Sequence, residues 1–338
     1  MISLSPWSEA VGSRIQDSTA FGLQNDTKLM HQEFQQALKA EDLDAIRRCP
    51  KADLHNHGWA GADPASVGAI LGRKIAPLDH KLTSMTEMHD WADEHFRNPD
   101  PKLRPQLFEA AFVRAAKDGL TRFEIGDDVW AVTLDGSAEN VTNILKRAHQ
   151  RGAPGVEWIP QLGMSRHCRI EDIRRWMEPF IELRSYRTVD LSGDESAQPI
   201  ENFKPIYRLA KANGFRLKAH VGEWGDADSV RRAVEALELD EVQHGIAAAD
   251  SASVMRFLAD NRIRLNICPT SNVMLGRVES LASHPIRKLF DAGVRVTVNT
   301  DDMAMFGQSV SDEFLNLYKA GCLNERELDQ IRENGLSD

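Results

Sequence analysis

The sequence predicts an α/β fold in which eight parallel strands close into a TIM-type (β/α)8 barrel, and two observations carry that prediction. Short β-rich runs alternate with longer segments of helical periodicity, such as "LFEAAFVRAAKDG" and "SVMRFLADN". Most of the β-rich runs end in histidine, aspartate or a glycine turn, and in such barrels the active site is built at the C-terminal ends of the strands. One polar ending is ordinary loop chemistry; several that carry metal-ligand side chains are not. A chain of 338 residues suits one large barrel or two ordinary domains. The alternation runs on without a low-complexity linker or an internal repeat, which favours one.

The elements follow in order. Residues 1–45 read as a helical extension packed on the barrel, and 46–338 as the barrel domain. Within the first part, "HQEFQQALKAEDLDAIRRCP" has the pattern of two short helices with a proline stop, and the first ~20 residues are expected to be loose. The first strand, "ADLHNH" (52–57), carries His55 and His57. Residues i and i+2 of a strand point the same way, so both imidazoles reach one ion in the barrel mouth. Alone, H-x-H is a weak signal. It is followed by the uncharged "GWAG" with Trp59. The second strand is "TRFEIG" (121–126), with Glu124. The third is "VEWIPQLG" (156–163), after which Arg166 and His167 are candidate pocket residues. The fourth is "RTVDLSG" (187–193).

The fifth strand, "FRLKAHVG" (215–222), ends in His220, and Glu223 follows the turn at Gly222. The glycine lets both side chains face one pocket, where imidazole is a zinc ligand and the carboxyl a proton shuttle. Read alone, the same stretch equally describes a buried structural histidine and a glutamate opening a helix. Lys218, two before His220, points to the same side and is expected lower in the barrel, paired with Glu124 or another carboxylate. The sixth strand, "DEVQHG" (240–245), ends in His244; the seventh is "IRLNICP" (263–269). The eighth, "VRVTVNTDD" (294–302), ends in Asp301 and Asp302, a buried pair that needs a cation or donors. Three histidines and an aspartate around an ion leave one position open for water, as in catalytic zinc sites. Such an ion lowers the pKa of water from ~16 toward ~7.

Composition narrows the partners. Hydrophobic residues at 42% are enough for a full core, and a net charge of -10 argues against a nucleic-acid partner. The start, "MISLSPWSEAVGSRIQDSTAFG", lacks the basic and apolar regions of a secretory signal. No apolar stretch approaches the ~18 residues that span a bilayer. Cys49, Cys168, Cys268 and Cys322 are far apart and form no C-x-x-C, which reads as free thiols in a reducing cytoplasmic setting.

The ordered motifs "LHNH", "VDLSGDE", "AHVGE", "QHG", "NICPTSN", "HPIRKLFDAGVRVTVNTDD" and "MFG" together resemble the adenosine deaminase family of the amidohydrolase superfamily, from "PKADLHNH" nearly to the end of the chain. The resemblance implies a zinc-dependent hydrolytic deaminase of adenosine or a related 6-aminopurine, with one Zn2+ per chain held by His55, His57, His220 and Asp301. It further implies that Glu223 protonates the ring nitrogen beside the reacting carbon, and that His244 orients the hydroxide and accepts its proton or stabilises its charge. Asp302 would bond the imidazole side of the purine, and the Gly193 N–H the ring nitrogen on the other edge. The signature of zinc deaminases acting on cytosine or nucleic acid, H-x-E with P-C-x-x-C, is absent.

The chain also departs from the family. The family usually continues H-x-H with Leu-Asp-Gly, and that aspartate holds the ribose 5′-hydroxyl in adenosine-specific members; here Trp59 stands at that position. Glu-x-Arg of the second strand becomes Glu124 and Gly126. The chain ends soon after "DQIRENGLSD", which leaves the final helix short or missing. Three alternatives stay open: another aminopurine or aryl amine as substrate, a catalytically silent nucleoside-binding member, and a two-metal hydrolase. The last is disfavoured because "VDLSGD" has no bridging lysine. Trp59 either stacks on a substituent and closes the pocket against a ribose, or is a wall residue.

Overall fold

Every predicted run forms a strand, and the eight are parallel in the order β1 to β8. The computed structural model describes residues 30–96 and 100–337; the segment expected to be loose lies outside them. The strands are β1 (Lys51–Asp53), β2 (Leu120–Asp128), β3 (Glu157–Ser165), β4 (Thr188–Ser192), β5 (Arg216–Val221), β6 (Glu241–His244), β7 (Arg264–Ile267) and β8 (Arg295–Val298). Helices connect them and form the outer layer. Ala138–Gly152 is typical: Ser137 caps it by accepting from the Asn140 N–H, and Val141, Leu145 and Ala148 are buried on one face. Before the barrel, residues 30–39 and Leu43–Arg48 are helical, and Phe34 packs edge-on against Phe314 of a late helix at 5.3 Å. Among the described residues no helix is long and apolar enough to cross a membrane.

Closure of the barrel is local. β1 and β8 meet at a single bridge between Asn56 and Asp301, where the Asp301 N–H donates to the His55 carbonyl at 3.0 Å. The bottom of that seam is covered by the final helix, Glu325–Leu336, which is present and 12 residues long, contrary to the sequence expectation. Leu336 packs on Ala52, Leu54 and Ile159. Arg122 donates to the Leu336 carbonyl at 3.1 Å, Arg264 to that of Ser337 at 2.9 Å, and Arg295 to that of Asn334 at 3.1 Å. Cations at the strand starts thus satisfy the carbonyls left open at a helix C-terminus.

The middle of the barrel is polar. Lys218 on β5 is fully buried, and its ammonium lies 2.5 Å from Glu124 and 3.0 Å from Glu241. Thr188 and Gln161 also donate to Glu124, at 2.7 and 2.9 Å. Arg264 and Asn266 donate to Glu241, at 2.6 and 2.7 Å. Burial disfavours the charge on Glu241, but Lys218, Arg264 and Arg216 hold it well below the usual carboxylate range. Lys218 also reaches the Leu54 carbonyl, just below His55, at 3.3 Å. This ionic layer is the floor of the site above it.

Candidate active site

The expectation that strand alternation aims His55 and His57 is corrected by the backbone. Both lie past the end of β1, on the stretch that leaves β2 to bridge β8. The His55 Nδ1 faces the Asn266 carbonyl at 3.0 Å, and the His220 Nδ1 faces the Asp190 carboxylate at 3.2 Å. Burial opposes ionisation of Asp190, but His220 holds it down, at about 2. With the protons on Nδ1, the Nε2 lone pairs point inward. There His55 Nε2 lies 3.0 Å from His220 Nε2, which lies 3.2 Å from His57 Nε2. The Asp301 Oδ1 is 3.1 Å from His57 Nε2 and 4.0 Å from His55 Nε2.

Two neutral imidazole lone pairs cannot bond each other, so this arrangement calls for a cation. A tetrahedral zinc with ~2.0–2.1 Å bonds separates its ligand atoms by ~3.3 Å, which matches the spacings found. Burial holds His55 down at about 3, in the neutral form that binds metal. Burial also opposes charge on His57, yet the Asp302 and Asp301 carboxylates draw it up to about 10. The field at this spot favours positive charge. Asp301 is further held by the Ser271 hydroxyl, which donates to it at 2.6 Å.

Glu223 stands on a turn that only glycine permits. Gly222 has φ +71°, and a Cβ there would come 2.2 Å from Val230. The turn is fixed by Glu195, whose carboxylate accepts from the N–H groups of Gly222, Glu223 and Trp224 at 2.9, 3.0 and 2.8 Å. Arg166 ties the Glu195 carbonyl at 3.0 Å to the His220 carbonyl at 2.9 Å, behind the pocket wall rather than in it. His167 does line the cavity. Glu223 is buried, and its Oε1 has no hydrogen-bond partner in the protein. Burial, with Asp301 and Glu195 nearby, holds its carboxyl well above the usual range, which favours the protonated form.

His244 and Asp301 share an unusual backbone, with φ of +61° and +62°. Such conformations cost ~1–3 kcal/mol each and gather at functional sites. The Asn272 amide donates to His244 Nδ1 at 3.1 Å, which leaves the ring proton on Nε2. That nitrogen faces Glu223 Oε1 at 3.5 Å and Asp301 Oδ2 at 3.7 Å. Burial keeps His244 well below its ordinary value, in the neutral form.

These groups open into a cavity of about 730 Å³, within the range that holds small organic ligands. Gly193, at φ +91°, and Asp302 line it, as does Trp59. Trp59 sits in the short turn Gly58–Ala60 and packs edge-on against Phe96 at 5.7 Å. Of the residues singled out in the sequence for the site, His57, Trp59, His167, Gly193, His220, Glu223, His244, Asp301 and Asp302 line this cavity, His55 stands beside it against His220, and Arg166 does not line it. Sequence reasoning missed four others. Asp190 and Glu195 orient the neighbours of the site; "VDLSGDE" contains both, and the alternation could have found Asp190. The Cys268 thiol lies within 4.8 Å of ligand atoms of His55 and Asp301. Asp128, at the end of β2, lines the cavity.

Known proteins resemble this chain over most of its length. A family model described as adenosine deaminase matches residues 80–338, a span that begins after His55 and His57. A putative adenosine/adenine deaminase of Treponema pallidum is 36% identical over 289 residues, covering 84% of this chain and 96% of that protein. An adenine deaminase of Acinetobacter baylyi is 28% identical over 306 residues, covering 86% and 92%. The crystal structure of adenine deaminase from Arthrobacter aurescens aligns with TM-score 0.75 and 26% identity, covering 85% of this chain and 92% of that one.

Proposed function

The chain belongs to the adenosine deaminase family, and on that footing we propose that it hydrolytically deaminates a 6-aminopurine, as base or nucleoside, with one zinc held by His55, His57, His220 and Asp301. The observation that carries the reading is one juxtaposition: inward-facing histidine Nε2 atoms and the Asp301 carboxylate beside the buried carboxyl of Glu223, whose Oε1 has no hydrogen-bond partner and whose pKa is raised by burial.

When bound, zinc would lower the pKa of its water from ~16 toward ~7, so that hydroxide is available near neutrality. Glu223 donates its proton to the ring nitrogen beside the amine-bearing carbon, and that carbon becomes electrophilic. His244, with its proton on Nε2, faces the incoming oxygen and stabilises its charge. Asp302 and the Gly193 N–H hold opposite edges of the purine and fix the angle of attack. The carbon–nitrogen bond then breaks, the amine leaves as ammonia with a proton from the site, and an oxo group remains on the ring. Asp190, Glu195 and Arg166 act through the groups they orient.

The test is an ammonia-release screen of the zinc-loaded protein over aminopurine bases, nucleosides and nucleotides. We expect release from adenine or adenosine. Tight binding of a purine by the metal-loaded protein with no ammonia from any member would contradict the reading.

A further inference from the structure

We propose that Asp128 reads the part of the substrate beyond the purine ring, so that the site accepts a 6-aminopurine carrying a hydroxylated, hydrogen-bond-donating substituent and turns away an anionic one. The proposal rests on the deaminase reading above and goes further, to the substrate class. A purine alone leaves much of a 730 Å³ cavity empty. Residue 59 offers no carboxylate for the remainder, because Trp59 is an apolar wall braced on Phe96.

The neighbouring strand supplies one. Asp128 is the last residue of β2 and lies in register with Gly163 of β3. The barrel makes room for its side chain: a Cβ on Gly163 would stand 2.4 Å from Asp128 Oδ1. The indole of Trp130, also in the lining, donates to Asp128. Burial raises the Asp128 carboxyl above its ordinary value, and a carboxylate has about four acceptor sites, so beside Trp130 capacity remains for donors on a ligand. The adjacent Asp127 is not available in this way, because it is paired with the buried Arg104.

That pairing also sets the charge preference. Among the described lining residues Arg104 is the one arginine and there is no lysine. Arg104 is occupied by Asp127 and by Asp135, the latter at 3.2 Å. A phosphate on the substituent would face Asp128 with no unengaged arginine or lysine among those residues to meet it. A sugar hydroxyl or an amine would donate to Asp128 instead.

The experiment compares zinc-loaded wild-type protein with Asp128→Asn on adenine, adenosine and adenosine 5′-monophosphate. The wild type should favour adenosine over the monophosphate by at least about tenfold in kcat/KM. In Asp128→Asn the ratio of kcat/KM for adenosine to that for adenine should fall ~10–150-fold, the range for a lost hydrogen bond to a charged group. Trp59→Asp in the same background should raise that ratio again by returning a carboxylate to the wall. An unchanged ratio in Asp128→Asn, or a wild type that prefers the monophosphate, would overturn the proposal. If no substrate is deaminated, the deaminase reading fails instead, and calorimetry still tests Asp128. Inosine should then bind the wild type more tightly than hypoxanthine does, and Asp128→Asn should erase the difference; equal binding by the wild type would count against Asp128.

Discussion

Replacing Glu223 with glutamine should lower ammonia release by ~10²–10⁴-fold while the protein keeps its zinc. The amide has nearly the shape of the carboxyl and keeps the turn that the Glu195 carboxylate clamps. What it loses is a transferable proton. Burial and the negative charges of Asp301 and Glu195 raise the pKa of the wild-type carboxyl and favour its acid form. Its acid form does the work, so kcat/KM should fall as pH rises through the raised pKa, and that alkaline limb should vanish in Glu223→Gln. Turnover within tenfold of the wild type would remove Glu223 from the acid role. Zinc content measured on the same samples separates this outcome from simple loss of the site.

Lys218→Met should destabilise the fold by ~3–5 kcal/mol, the usual cost of removing one partner from a buried ion pair. The lysine is fully buried between Glu124 and Glu241, and its loss leaves Glu124 with Thr188 and Gln161 as its donors among the described residues. Glu241 keeps Arg264 and Arg216, so it suffers less. Urea denaturation of the metal-free protein reads the effect without the contribution of bound zinc. The double variant Lys218→Met with Glu124→Met should recover most of the loss, because a buried pair exchanged for apolar side chains is often neutral or stabilising. A single variant as stable as the wild type would show that Glu124 is satisfied without the lysine.

What was legible in the sequence shares a physical cause. The eight strands were visible because a barrel strand is buried on both sides and reads as a short β-rich run. The chemistry was visible because His220, His244, Asp301 and Asp302 stand at the C-terminal ends of such runs. Lys218 was expected to pair with a carboxylate low in the barrel, and Glu124 is that partner. Its second partner, Glu241, could not be read locally, because only the register of β5 on β6 sets Lys218 opposite Glu241.

The errors are also local arguments that met long-range geometry. The run containing His55 and His57 was assigned wholly to a strand, but its end is taken by the bridge that closes the barrel. The final helix was expected to be short or missing, yet Asn324 opens it with a capping box and Leu336 plugs the barrel floor. Asp128 drew no notice because the second strand was read as ending at Gly126, whereas it runs on to Asp128. Its place on the cavity wall depends on a glycine 35 positions later, Gly163, which leaves space for it.

The central claim is that a single metal on four side chains makes this chain a 6-aminopurine aminohydrolase. Chelator-stripped protein titrated with zinc, with ammonia release from adenosine and adenine followed at each addition, tests it most directly. Activity should rise from near zero and level off at one zinc per chain, and His220→Ala should fail both to retain zinc and to release ammonia. Full activity in the stripped protein, a plateau only at two zinc ions per chain, or no ammonia at any loading would contradict the account.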